Sequence, residues 1–205
     1  GGTFELNNSA NRDFPSILNT CNNLVINNAA TNVVVTLVNN LTIRGDFTIQ
    51  RGTFNINNTS TTALDINLQG DLTVESAGQI RTGTGNANGG HEFFIRGDFT
   101  NNGNVRFSNL NDYLYQDYPV NGYVHTIFDN GAADQSIQCN NVTDFYRIEI
   151  AKGTDKTYVL NIDAANPEGD IRSWKTDSSF YFESVTEKGK KLLESWSSSG
   201  LLSEA

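Results

Sequence analysis

Three stretches of the chain align on one another without a gap: Leu41-x-Ile43-x-Gly45-Asp46-Phe47, Ile66-x-Leu68-x-Gly70-Asp71-Leu72 and Phe93-x-Ile95-x-Gly97-Asp98-Phe99, set 25 and 27 residues apart. In each, apolar residues alternate, a Gly-Asp pair breaks the alternation, and an apolar residue followed by Thr resumes it (Phe47-Thr48, Leu72-Thr73, Phe99-Thr100). A second glycine follows (Gly52, Gly78, Gly103), and two residues beyond it stands Phe54, Ile80 or Val105. Alternation with period two buries one face of a strand, and a residue without a side chain marks a corner or bulge. A unit this short, holding about three strands, cannot cover its own apolar face, whereas stacked neighbours cover one another. The repeat therefore predicts an all-β, right-handed parallel β-helix: six or so coils about 4.8 Å apart, forming a rod about 30 Å long. Its expected core is Leu41, Ile43, Phe47, Ile66, Leu68, Leu72, Phe93, Ile95 and Phe99. The alternative, an antiparallel β-sandwich, explains the alternation but not the recurrence of the Gly-Asp pair.

Composition agrees. Among 205 residues, 28 Asn, 20 Thr and 18 Gly stand against 3 Pro, a mixture of turn and strand formers in which Asn tolerates left-handed corners and can hydrogen-bond along a stack. Every Asn lies at or before Asn166 and every Lys at or after Lys152. This places a repeat domain at 1–165 and a distinct segment at 166–205. In that tail Phe180–Phe182 reads as strand and Thr186–Trp196 as a short C-terminal helix, with Leu192, Leu193 and Trp196 on one face and a capping box at Ser184 and Glu187. Such a helix must pack on something, either capping the last coil or docking a partner. A net charge of −9 and a pI near 4.6 exclude nucleic acid as a partner. No run approaches the ~20 apolar residues of a membrane span. The absence of Met predicts a processed or excised chain.

The wording of the repeats carries a resemblance. Asn39-Asn-Leu-Thr-Ile-x-Gly-Asp-Phe-Thr-Ile49, Gly52-Thr-Phe-Asn-Ile-Asn57, Phe128-Asp-Asn-Gly-x3-Gln135-Ser-Ile137 and Phe145-Tyr-x-Ile-x-Ile150 resemble the repeats of long bacterial cell-surface and secreted proteins, many of them cargo of type IX secretion. The resemblance spans roughly residues 1–163. It implies a parallel β-helix outside the cell, flanked by further repeats of a longer parent chain, and it implies no catalytic residues.

Several residues invite a chemical reading. Stacked Asp46, Asp71 and Asp98 would form a column of like charges that needs solvation or a bridging cation. No metal or other cofactor is the first expectation, with calcium between coils as the alternative. Asp112, Asp117, Asp129 and Asp134 lie together where the repeat is most interrupted, alongside Tyr113, Tyr115, Tyr118 and Tyr123. The tyrosines suit a role as ligand contacts to sugar rings or a protein surface, and the acids are the alternative catalytic set for polysaccharide cleavage. Neither His91 nor His125 has zinc spacing, and no serine elbow is present. Cys21 and Cys139, 118 residues apart, sit in similar local wording and are expected to be free, inward-facing and equivalent in the repeat. The functional expectation is a noncatalytic module acting as stalk or as adhesive, ligand-presenting surface for a cell-surface glycan or protein. Polysaccharide cleavage and partner docking through the tail are the alternatives.

Overall fold

The computed structural model describes residues 1–57, 61–83, 90–108, 122–130, 132–145, 147–151 and 158–164. Within them run seventeen strands: β1 (Thr3–Leu6), β2 (Arg12–Asp13), β3 (Thr20–Cys21), β4 (Asn23–Asn27), β5 (Val34–Thr36), β6 (Leu41–Ile43), β7 (Phe47–Asn55), β8 (Asp65–Leu68), β9 (Leu72–Arg81), β10 (His91–Ile95), β11 (Phe99–Asn101), β12 (Asn104–Arg106), β13 (Val124–Phe128), β14 (Gln135–Cys139), β15 (Thr143–Asp144), β16 (Arg147–Ile150) and β17 (Leu160–Ala164). No helix occurs among the described residues. The chain passes repeatedly between two sheets. One has the order β1-β4-β7-β9-β11-β14-β17 with β2, β5, β12 and β15 alongside, and the other the order β16-β13-β10-β8-β6-β3.

Every pair of named strands is parallel, each laid on its counterpart one repeat earlier; Leu24, Phe47, Leu72, Phe99, Ile137 and Ile162 share one column. Leu41, Ile66, Phe93, Thr126 and Ile148 share another. Among the described residues the one antiparallel bridge joins Ser108 to Tyr123. This is an all-β architecture of long parallel sheets, compatible with a β-helix or solenoid, and among the described residues it lacks the facing antiparallel sheets of a sandwich. The column from β1 to β17 is seven strands deep, about 29 Å at parallel spacing. All nine residues expected in the core are at most 1% exposed. They join a cluster in which edge-on phenylalanines, such as Phe47 and Phe54 at 5.1 Å, fill the interior.

The Gly-Asp corner has a specific cause. The N–H of Asp46 donates to Asn23 Oδ1 (3.0 Å), that of Asp71 to Asp46 Oδ1 (3.0 Å), that of Asp98 to Asp71 Oδ1 (2.8 Å) and that of Ser136 to Asp98 Oδ1 (2.7 Å). Each carboxylate thus holds the backbone of the next coil. The oxygen occupies the place where the preceding residue of that coil would carry a Cβ: one added at Gly70 would run into Asp46 Oδ1 and the Gly45 carbonyl, and one at Gly97 into Asp71 Oδ1 and the Gly70 carbonyl. Glycine is required here for space. At the second corner Gly52 adds a left-handed φ of 96°. The glycine column ends at Gln135, whose Nε2 donates to the carbonyls of Ile95 (3.0 Å) and Gly97 (2.8 Å).

Among the inward positions that are polar, one lies at a corner. Asn101, fully buried, stands in line between Val74 and Cys139. Its Nδ2 donates to the Val142 carbonyl and Thr143 Oγ1, both at 2.8 Å, and its Oδ1 accepts the Gly103 N–H at 2.9 Å. The corner after β11 is thereby saturated, as a buried amide must be.

The two cysteines are free as expected, but they are not equivalent. Cys21 lies in the second sheet beside Ile43 and Cys139 in the first beside Asn101. Local wording around a corner recurs in a different phase of the coil, which the sequence echo alone does not reveal. The tail segment 166–205, with its expected strand and helix, lies outside the described residues.

Replacing Asp71 by Ala removes an acceptor for the Asp98 N–H and should cost about 1–3 kcal/mol, whereas Asp71→Asn keeps the oxygen, as Asn23 does in the first rung, and should stay within about 0.5 kcal/mol. Thermal melts of the two variants check this, and equal melting temperatures would refute the corner ladder. Gly70→Ala should destabilise even when combined with Asp46→Ala, because the Gly45 carbonyl remains in the way.

Candidate functional site

The face of the second sheet turned away from the core gathers the most varied chemistry, and His125 and Ile127 on it are themselves buried. Alternation along β10 and β13 sends Phe93, Ile95, Thr126 and Phe128 inward and leaves the residues between them on the opposite face. Register then lines up Asp65, Glu92, His125 and Arg147 in one row, and Asn67, Phe94, Ile127 and Glu149 in the next. His125 Nε2 stands 3.0 Å from Glu149 Oε2. Tyr123 precedes His125 by two residues and shares its side of the strand; its ring lies against Gly90, where any Cβ would strike it, and Gly90 has a φ of 80°. At the far end of these strands the Arg96 Nε donates to both carboxylate oxygens of Asp129, at 3.3 and 3.1 Å. The side chains of this pair are 54% and 18% exposed, so it is a solvent-screened contact worth at most about 1 kcal/mol.

Sequence-based candidates therefore separate. Tyr123 and Asp129 lie on this face, six residues apart along the chain. Asp134 belongs to a corner, where its Oδ1 accepts the Val159 N–H at 2.8 Å. Asp112, Asp117, Tyr113, Tyr115 and Tyr118 lie outside the described residues. Asp46, Asp71 and Asp98 do stack, and each turns one carboxylate oxygen to the next coil's backbone. Among the described residues no group of three or more His, Cys, Asp or Glu converges as a metal site.

Sequence reasoning passed over His91, which found no zinc spacing and received no other role. It is fully buried and in phase with the core residues of β10. Its Nδ1 accepts the Leu64 N–H at 3.0 Å, and its backbone N–H donates to the Tyr123 carbonyl at 2.8 Å, tying it to the coils on either side. Nε2 must then carry the ring's proton, and it has no partner among the described residues. Burial pushes this imidazole down to about 4. Strict alternation from His91 to Phe93 was the one available signal that it faces inward.

Compared with known proteins, the chain matches no family model, no curated protein and no solved structure.

Because His91 is neutral when folded, the unfolded chain takes up a proton that the native state refuses. Stability should be full above about 6.5 and should fall as pH drops toward about 4. Denaturant titrations across that window should show a slope one proton steeper for the native sequence than for His91→Gln. Parallel slopes would place His91 in contact with water.

Proposed function

We propose that the chain is a noncatalytic, right-handed β-helical module of a secreted or surface-anchored bacterial protein, serving as a stalk that presents ligand-binding side chains. The observation that carries this reading is the assignment of the corner acids: Asp46, Asp71, Asp98 and Asp134 each give a carboxylate oxygen to the backbone of the neighbouring coil, and Asp129 pairs with Arg96. Groups held this way build a rod. The wording of the repeats, similar to that of bacterial surface and secretion-cargo proteins, supports an extracellular setting and further repeats on either side. A rod of this kind displays the same lateral positions coil after coil, so weak contacts to a glycan or protein add through avidity.

A second reading, polysaccharide cleavage, is favoured by one arrangement: the imidazole–carboxylate pair His125–Glu149 beside Tyr123, since acid–base work on a glycosidic bond needs such groups near a sugar-stacking ring.

Incubation with a panel of neutral and acidic glycans distinguishes the two. The stalk reading expects no new reducing ends and no unsaturated products. Product release that disappears in His125→Gln and Glu149→Gln would overturn it in favour of the enzyme.

A further inference from the structure

Where β2, β5, β7 and β9 lie side by side in the first sheet, the surface sinks into a recess of about 350 Å³ lined by Asn11, Arg12, Asp13, Val34, Thr36, Asn55 and Arg81. Register explains the lining: Asp13, Thr36, Asn55 and Arg81 succeed one another on four neighbouring strands, outside the buried row of Val35, Phe54 and Ile80. We propose that this recess binds a sugar acid, with Arg81 and Arg12 taking the carboxylate.

Three observations support the assignment. The first is charge. In a chain with 23 acidic and 14 basic side chains, Arg96 and Arg106 are each matched to an aspartate of the following coil. Arg12 and Arg81, like Arg44, Arg51 and Arg147, have no ion-pair partner among the described residues, and these two border the same recess.

The second is preorganisation. The Arg81 Nε donates to Asn55 Oδ1 at 2.9 Å, which fixes the plane of the guanidinium and leaves its remaining N–H groups for a ligand. Asn55, only 4% exposed, itself lines the recess, so the guanidinium is oriented by a side chain set into the sheet.

The third is the match of groups. A guanidinium recognises a carboxylate through paired N–H bonds. The Asn55 amide, the Thr36 hydroxyl and the Asp13 carboxylate suit the hydroxyls of a sugar ring, and Val34 offers an apolar patch to its C–H face. The volume lies at the low end of small-molecule sites, enough for one ring. Asp13 at the border disfavours a compact dianion such as phosphate.

This extends the ligand-presenting part of the proposed function and rests on it. The test is an amide NMR titration of the whole chain with glucuronate, with glucose and inorganic phosphate as controls. Saturable shifts confined to residues 11–13, 34–36, 55 and 81 are expected, with glucose and phosphate binding at least ten-fold more weakly. Arg81→Gln should lower glucuronate affinity at least five-fold. So should Arg12→Ala, which alters an exposed side chain and leaves the melting temperature unchanged. Absence of saturable binding, equal binding of glucose or phosphate, or unchanged affinity in both variants would overturn the site. Such a failure leaves the stalk reading standing, whereas glycan cleavage would sink the stalk reading without touching the recess.

Discussion

A side-chain oxygen placed under the backbone N–H of the next coil is the contact on which this architecture depends. Parallel pairing satisfies the backbone along each strand, but at a corner the strand direction changes and an amide is left without a ladder partner. In this chain an Asn or Asp one coil earlier supplies the acceptor, at Asn23, Asp46, Asp71 and Asp98 in succession. At Gly45, Gly70 and Gly97 the oxygen comes up where a Cβ of the preceding residue would sit, while the last rung passes beneath Gln135. Glycine and aspartate are therefore one device, shared between consecutive coils. The same economy appears at Asn40, whose Oδ1 accepts the Asp65 N–H while its Nδ2 donates to the Asp65 carboxylate.

The corner fixes the phase of the strands beside it, and so determines which side chains reach the interior. Leu41, Ile66 and Phe93 fall in one column because the glycines four residues on do. Arg44, Gln69 and Arg96, just before those glycines, all lie exposed, and their identity varies without consequence for the stack. Some polar residues enter the interior where the coil changes its path, as with Asn101 and Thr143, and others within a strand, as with Thr126.

The repeat was legible because its cause is local: a missing Cβ and a short acidic side chain recur at a fixed place, and alternation on either side identifies the core. The role of the aspartates was harder to read. Stacked carboxylates read as a problem of repulsion until the geometry places an N–H against each one. The partnership of Arg96 with Asp129 and of His125 with Glu149 depends on which residues a coil brings opposite one another across an irregular interval. No local pattern gives that offset. The recess beside Arg81 is composed from four strands whose separate sequences show nothing unusual. Equivalence of Cys21 and Cys139 was misread for a related reason: similar words can occupy different sides of a coil.

The rungs of the corner ladder are separated by 23, 25, 27 and 38 residues of chain, yet their bond lengths differ by only a few tenths of an ångström. Vertical spacing is thus decoupled from contour length. A coil can lengthen sideways by a dozen residues without disturbing the floor above or below it, since closing a longer excursion costs little additional entropy. Such a scaffold can acquire new lateral segments one storey at a time while its central column keeps the same pitch.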